Sequence, residues 1–284
     1  MQTENQTMKK IFFYIFGLFI ITSCSPSQDV NGDFLLGVDY SSEGGSSGGG
    51  QTTSKQLKRM ETNMKDEDTG DIENHSYTYS YSGAKLISYK DDSGETTKFD
   101  YGSNGKISKV YNAEQVSVFE YTGSNVSKVT TTITGIAKIT STYTFSSAKL
   151  SKVVTIQEYS VPFPVKAYLE SSYQYQGENV TKSLTKAGVY NPVTGDLEMD
   201  PEDKNITYTY DAKKSPYKLL PMEYILLIAG IGPQGGAYLS SNNFEKITIA
   251  QGTSSEAMTF SHDYDQDNYP TKSTSGQEYI KYSY

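Results

Sequence analysis

From residue 55 to the end of the chain, aromatic and polar residues alternate in short runs. Each run is followed by a Gly, Asn or Ser turn and a return run of Ile, Val or Leu set among Ser, Thr and Lys. One unit reads Tyr77-Thr-Tyr79-Ser-Tyr81, then Ser-Gly-Ala, then Lys85-Leu86-Ile87-Ser88-Tyr89. The pattern recurs from Phe99-Asp-Tyr101, from Phe119-Glu-Tyr121, from Tyr143-Thr-Phe145 and from Tyr173-Gln-Tyr175. Tyr81, Tyr101 and Tyr121 stand twenty residues apart, and later copies drift as their loops lengthen. A period of two puts the rings on one face of a strand. Gly and Asn supply the positive φ of tight hairpin turns. Each unit is therefore a β-hairpin, and because a lone hairpin is marginal in water, the units must pair side by side.

The expected class is all-β, an antiparallel hairpin meander of roughly fifteen strands, more than an open twisted sheet usually holds flat. Curling into a barrel or half-barrel follows. One segment breaks the alternation: Leu219 to Ala229 carries Met222, Tyr224, Ile225, Leu226, Leu227 and Ile228 with no period of two. Pro221 suits a first helical turn and Gly230-Ile-Gly232 suits a stop, which predicts one short apolar helix capping or filling the sheet.

The front of the chain is built differently. Lys9 and Lys10 precede an apolar run from Ile11 to Ile21, and Ile21-Thr22-Ser23-Cys24 closes it. A mature membrane-spanning helix needs about 20 apolar residues, so this shorter run reads as an export signal. Ile-Thr-Ser-Cys resembles a bacterial lipobox, whose cysteine is lipidated and becomes the new N-terminus. The expected division is residues 1–23 as lipoprotein signal peptide, 24–54 as lipidated Cys24 with a flexible tether, and 55–284 as the β-repeat domain. Ser41 to Gly50 reads SSEGGSSGGG, a coil that serves as a spacer. Met8-Lys9-Lys10 is a more usual signal start than Met1, and both starts stay open.

Composition narrows the chemistry. The chain has 25 Tyr, 11 Phe, no Trp and one Cys, so a disulfide within the chain is excluded. With Cys24 lipidated, thiol catalysis is excluded as well. A formal net charge of −8 with interspersed signs disfavours nucleic-acid binding, which calls for clustered Lys and Arg.

Candidate sites are few. His262-Asp263-Tyr-Asp265-Gln-Asp267 is the densest cluster, and Asp263, Asp265 and Asp267 match the opening of a calcium loop. Thr274 stands where the bidentate Glu belongs and Asn268 where Gly belongs, so a hydrated turn is the better reading and no metal is expected. His75 and His262 are the only histidines, without zinc spacing, and no serine sits in a nucleophile elbow. No catalytic residues and no cofactor are assigned. Tyr79, Tyr81, Tyr101 and Tyr121 are the candidate ligand-binding residues, since aromatic faces in a curved sheet can stack sugar rings or peptide side chains, although the same rings also suit a core.

The hairpin string, the Tyr264-Asp-Gln-Asp-Asn-Tyr-Pro270-Thr-Lys272 turn, the Ser241-Asn-Asn-Phe-Glu-Lys-Ile247 segment and the lipobox together resemble one family. It is that of secreted Bacteroidetes lipoproteins carrying a porin-like domain of unknown function with Tyr-rich, Tyr-Asp-type repeats. The resemblance covers residues 55–284. It implies a cell-envelope, outer-membrane lipoprotein held by its lipid anchor, on either the periplasmic or the surface face. The strands are too short and too polar on both faces to span a bilayer. The expected role is non-catalytic binding or structure, with an envelope protein or a glycan as partner. A glycan-binding or glycan-processing protein that uses aromatic and carboxylate residues of the concave face stays open as the alternative.

Overall fold

The computed structural model describes residues 55–65, 71–161, 163–229 and 235–284. Cys24, its signal and the tether lie outside the described residues, as do Gly230 and Gly232, the expected helix stop. The chain begins with β1 (Arg59–Lys65), β2 (Ile72–Ser82), β3 (Lys85–Asp91), β4 (Thr96–Tyr101), β5 (Ile107–Tyr111) and β6 (Gln115–Thr122). There follow β7 (Asn125–Ile133), β8 (Ala137–Ser146), β9 (Lys149–Tyr159), β10 (Val165–Gln176), β11 (Asn179–Tyr190), β12 (Leu197–Met199) and β13 (Lys204–Lys214). After a 3-10 turn (Pro216–Leu219), α1 (Met222–Ala229) and α2 (Gly235–Leu239) come β14 (Asn242–Gln251), β15 (Ser254–Thr259), β16 (Ser261–Tyr264), β17 (Pro270–Ser275) and β18 (Glu278–Ser283).

Strands pair antiparallel with their sequence neighbours, as a meander requires. The sheet then closes on itself, because β18 pairs β1 and β1 pairs β2. One step around the ring is covalent: β15 pairs β14, β16 pairs β17, and Phe260 alone joins the two. The fold is thus all-β and barrel-like, as the alternation predicts. Among the described residues it has 18 strands, more than the sequence pattern suggested. The three-residue β12 lies in the long Asn191–Lys204 loop, and the last long strand is split at Phe260. The expectation of a single helix is corrected as well. A 3-10 turn and a second helix, α2, accompany α1. Five residues opening on two glycines are too few to display a helical period.

Burial follows the alternation. Along β4, Thr97 and Phe99 are buried while Thr96, Lys98 and Asp100 face water. The buried side of the sheet and the helices share one apolar cluster, which includes Leu86, Ile107, Val110, Phe119, Val153, Ile206 and Ile247. From α1, Tyr224, Ile225, Leu226 and Ala229 enter that cluster. The Tyr224 ring meets Phe99 edge-on at 5.3 Å and Tyr89 at 5.8 Å. Gly236 is what lets α2 approach β13, since a Cβ there would lie 2.6 Å from the Tyr208 ring. Hydroxyl pairs satisfy inward polar positions: Ser117 with Thr131 at 2.7 Å, Ser141 with Thr155 at 2.9 Å and Ser171 with Thr185 at 3.0 Å. The opposite face carries ion pairs such as Lys128–Glu120 at 2.6 Å and Lys166–Glu158 at 3.5 Å. Exposed pairs of this kind contribute at most about 1 kcal/mol each, so they mark a wetted surface more than a source of stability.

The repeat has a deeper regularity than alternation. Seven strand pairs shift register just before the second aromatic position: Ser80/Tyr81, Asp100/Tyr101, Glu120/Tyr121, Thr144/Phe145, Gln174/Tyr175, Thr209/Tyr210 and Asp263/Tyr264. A bulge leaves one residue unpaired and bends its strand. In several units the unpaired residue is a Ser or Thr whose hydroxyl donates to the opposing carbonyl. Ser151 reaches Thr144 O at 2.9 Å, Ser108 reaches Asp100 O at 3.2 Å and Thr271 reaches Asp263 O at 3.3 Å. The recurrent Ser in the return runs therefore has a mechanical reason: it supplies a donor at the point where the ladder is interrupted.

Candidate functional site

Beyond each bulge, the second aromatic residue lies at the turn end of the sheet. Here the ladder between successive hairpins has run out; between β3 and β4 it ends at Ser88 opposite Lys98. The phenol then takes over. Tyr81 donates to Leu57 O at 2.8 Å, Tyr101 to Leu86 O at 2.9 Å, Tyr210 to Val180 O at 2.6 Å and Tyr284 to Pro270 O at 2.8 Å, with Tyr121 donating to Ile107 O. Each clasp holds two hairpins together where no backbone bond does. The lysine that precedes the clasped residue often covers the same ring, as Lys85 does over Tyr101 at 4.8 Å and Lys106 over Tyr121 at 5.5 Å.

Three of the four tyrosines singled out from the sequence, Tyr81, Tyr101 and Tyr121, belong to this row, and their phenols donate within the fold, while Tyr79 lies before the first bulge. Tyr79 is buried against Tyr89 at 6.0 Å, and desolvation pushes its phenol far above the usual range. Burial raises Tyr81 to about 12, with the neighbouring Tyr101 adding to the shift. Tyr121 alone reaches toward a second partner, Glu223 of α1, at 3.3 Å. Desolvation first, and the Glu223 carboxylate second, keep the Tyr121 phenol protonated.

The next two members of the row behave differently. Phe145 has no hydroxyl to offer, and among the described residues the phenol of Tyr175 makes no hydrogen bond. Between these two unclasped junctions lies a cleft of about 170 Å³, walled by Phe145 and Tyr175 and floored by Leu150, Leu226 and Leu239. Lys106, Lys149 and Lys218 line it together with Glu178 and Glu223. Lys149 donates to Gly177 O and pairs with Glu178 at 2.8 Å. That contact draws the exposed Glu178 carboxyl below the usual carboxylate range. Lys106 donates to Ser124 O. Lys218 is an exposed residue, yet its ammonium end rests against Leu239 O at 3.0 Å. Burial there lowers its pKa; Glu178 counters that shift and Lys149 reinforces it.

The rim of this cleft is itself unusual. Three hairpins at this end place Gly at the first central turn position, Gly83, Gly123 and Gly177 at φ of 59°, 61° and 57°. The β8–β9 turn has no glycine, and both central residues, Ser147 and Ala148, take positive φ of 50° and 64°. Ala148 lines the cleft. Non-glycine residues in this region cost roughly 1–2 kcal/mol each.

The remaining candidates are structural. Asp265 accepts from the backbone amides of Asp267 at 2.9 Å and Tyr269 at 3.0 Å, which makes the segment the turn that the sequence favours. Asp263, Asp265 and Asp267 do not converge, and among the described residues no group of three His, Cys, Asp or Glu could hold a metal ion. His262 spends both ring nitrogens, Nε2 on Phe244 O at 2.9 Å and Nδ1 on Ser273 Oγ at 2.7 Å. A carbonyl only accepts, so Nε2 is the donor to Phe244 O. His75 lies 3.3 Å from Glu73 and 3.4 Å from Asp92. The lysines of the cleft were not foreseen. Lys106 and Lys149 open return runs and so repeat along the sequence, but Lys218 joins them only through the path of the 3-10 turn.

No protein-family model matches the sequence, and no curated protein matches it. Among solved structures, a crystal structure of a porin-like protein from Bacteroides uniformis aligns at 13% identity with a TM-score of 0.48. The alignment covers 80% of this chain and 96% of the other.

Proposed function

We propose that this chain is a lipid-anchored protein of the bacterial cell envelope whose barrel-like domain is a non-catalytic binding scaffold, with the turn-end cleft as its ligand site. The observation that carries the reading is the cleft itself, a concave, lysine-lined opening at two adjacent junctions, those of Phe145 and Tyr175, that lack the tyrosine clasp. The rest of the scaffold supports the same assignment. The concave side is filled by side chains and two helices, and the exposed positions of β4 and β6 are mostly polar, with Thr96, Lys98, Asp100, Glu120 and Thr122 among them. Such a domain is suited to carrying a site on a tether. The imidazole of His262 is tied to structural partners, which supports binding without chemistry. The lipobox at Cys24 supports the envelope location. Aromatic walls at Phe145 and Tyr175 favour a second reading, in which the ligand is a glycan.

Two measurements test this. Cys24→Ala should move the protein from the membrane fraction to the soluble fraction without loss of fold, and a variant that stays membrane-bound refutes the anchor. Envelope extract captured on the chain from Lys55 to Tyr284, which contains the compact unit Gln56–Tyr284 with the described sheet and core, should yield a ligand that the Lys218→Met form fails to retain. Retention unchanged by Lys218→Met, or turnover of the captured material, refutes a non-catalytic cleft site.

A further inference from the structure

We propose that the cleft recognises a small carboxylate with an apolar body, its carboxylate held between the ammonium groups of Lys149 and Lys218 and its body lying on Leu150, Leu226 and Phe145. The inference rests on the cleft being the binding site, and adds the chemical class of what enters it.

The charges point one way. Lys149 is near enough to disfavour the charged form of Lys218, and the water-exposed Glu178, paired with Lys149 at 2.8 Å, acts against that. Among the described residues the Lys218 ammonium, with three protons to donate, has one acceptor, Leu239 O. Glu223 accepts from Tyr121, so it is occupied on the side of the clasp row. Three lysines against two carboxylates leave the opening positive, in a chain whose formal charge is −8. An incoming carboxylate satisfies the spare protons of two ammoniums and relieves their repulsion, and charge-assisted bonds of this kind are among the stronger ones. The floor sets the rest of the ligand. Leu150 is 4% exposed, Leu226 1% and Leu239 4%, so a polar body would lose water there without finding partners. A cavity of about 170 Å³ has room for an alkyl or aryl group of a few carbons and not for an oligomer.

The test is a titration of the chain from Lys55 to Tyr284, followed by NMR of the Leu methyl groups and of the Tyr175 ring. Hexanoate is the probe, with hexanol as its neutral isostere and glucuronate as an acidic body without an apolar face. Hexanoate should shift Leu150, Leu226 and Tyr175, hexanol and glucuronate much less. Lys218→Met should weaken hexanoate about tenfold, equal to about 1.4 kcal/mol. Lys149→Gln should weaken it similarly, while Lys85→Gln, on a rim outside the cleft, should not. Lys218→Met replaces a partly buried cation by an apolar chain of like length, so its fold is expected to persist, and its melting temperature is measured alongside. Equal binding of hexanol overturns the inference but leaves the cleft as a binding site. Tighter binding of glucuronate also overturns it and assigns the cleft to acidic sugars. If no probe shifts these residues while envelope capture still depends on Lys218, the ligand class is wrong and the site is right. If capture is independent of Lys218 as well, both fall.

Discussion

The phenol of Tyr101 donates to the main-chain carbonyl of Leu86 at 2.9 Å, and Lys85 stands 4.8 Å above the same ring. This pairing explains why the repeat couples an aromatic residue with a Lys-Leu or Lys-Ile dipeptide in the preceding unit. A bulge bends the strand, the ladder to the next hairpin ends, and a phenol bridges the gap. The cleft forms between the two junctions where Phe145 and Tyr175 do not make that bridge.

Tyr101→Phe should cost about 0.5–1.5 kcal/mol, the usual net worth of one hydrogen bond. The ring and its contact with Lys85 remain, so the loss isolates the hydroxyl. Urea unfolding of the two forms measures it. Phe145 is the natural counterpart, and Phe145→Ile there should leave every phenol clasp intact. An unchanged midpoint for Tyr101→Phe means that water replaces the clasp at no cost.

The hairpin architecture is legible in the sequence because each signal is local. Alternation at Tyr77, Tyr79 and Tyr81, glycine at 83 and the loss of alternation from Leu219 onward each declare an element within a dozen residues. The Asp265 turn is legible for the same reason, since its carboxylate caps amides two and four residues on. What the sequence conceals is tertiary. Nothing in the run Lys106-Ile-Ser108 tells that Ser108 will donate across a bulge or that Ile107 O will accept from Tyr121. Lys218 meets Lys149 only because a 3-10 turn returns to the sheet. The tyrosines read as ligand candidates do not line the cleft, and the hydroxyls of Tyr81, Tyr101 and Tyr121 are taken up in clasps.

Ala148→Gly should stabilise the domain by about 0.5–1 kcal/mol, because glycine takes positive φ without the Cβ penalty that alanine carries at 64°. The gain is reduced by the larger entropy of glycine in the unfolded chain. Thermal unfolding measures it, and a loss of stability shows that the Ala148 methyl contributes more by packing in the cleft than its strained backbone costs.

Alkaline pH should unfold the protein. Burial raises Tyr77, Tyr81, Tyr159 and Tyr175 to about 12, and raises Tyr217 and Tyr224 well above the ordinary value of 10.0. A phenol with a raised folded pKa holds its proton in the native state after the unfolded chain has released it. Its contribution is complete below the unfolded pKa near 10 and is lost as pH climbs toward the folded values. Tyrosinate absorbance should therefore lag the ordinary titration and then rise together with the loss of β-sheet circular dichroism. A smooth titration centred near 10 with the sheet intact contradicts this.

Leu226→Asp tests whether α1 is part of the core. Leu226 is 1% exposed, its carbonyl accepts from Tyr143 at 3.3 Å, and Ile225 and Tyr224 beside it are also buried. An aspartate there must either ionise without a partner, take up a proton, or drive the helix out of the concave face of the sheet. Each route is unfavourable, and a loss of about 3–5 kcal/mol is expected. For a domain of this size that corresponds to a fall of roughly 10 °C or more in melting temperature. Val193→Asp is the matched control, since Val193 is 91% exposed on the β11–β12 loop and should tolerate the charge. Retention of stability in Leu226→Asp would place α1 outside the core, and the cleft it floors would then lose its rigid base.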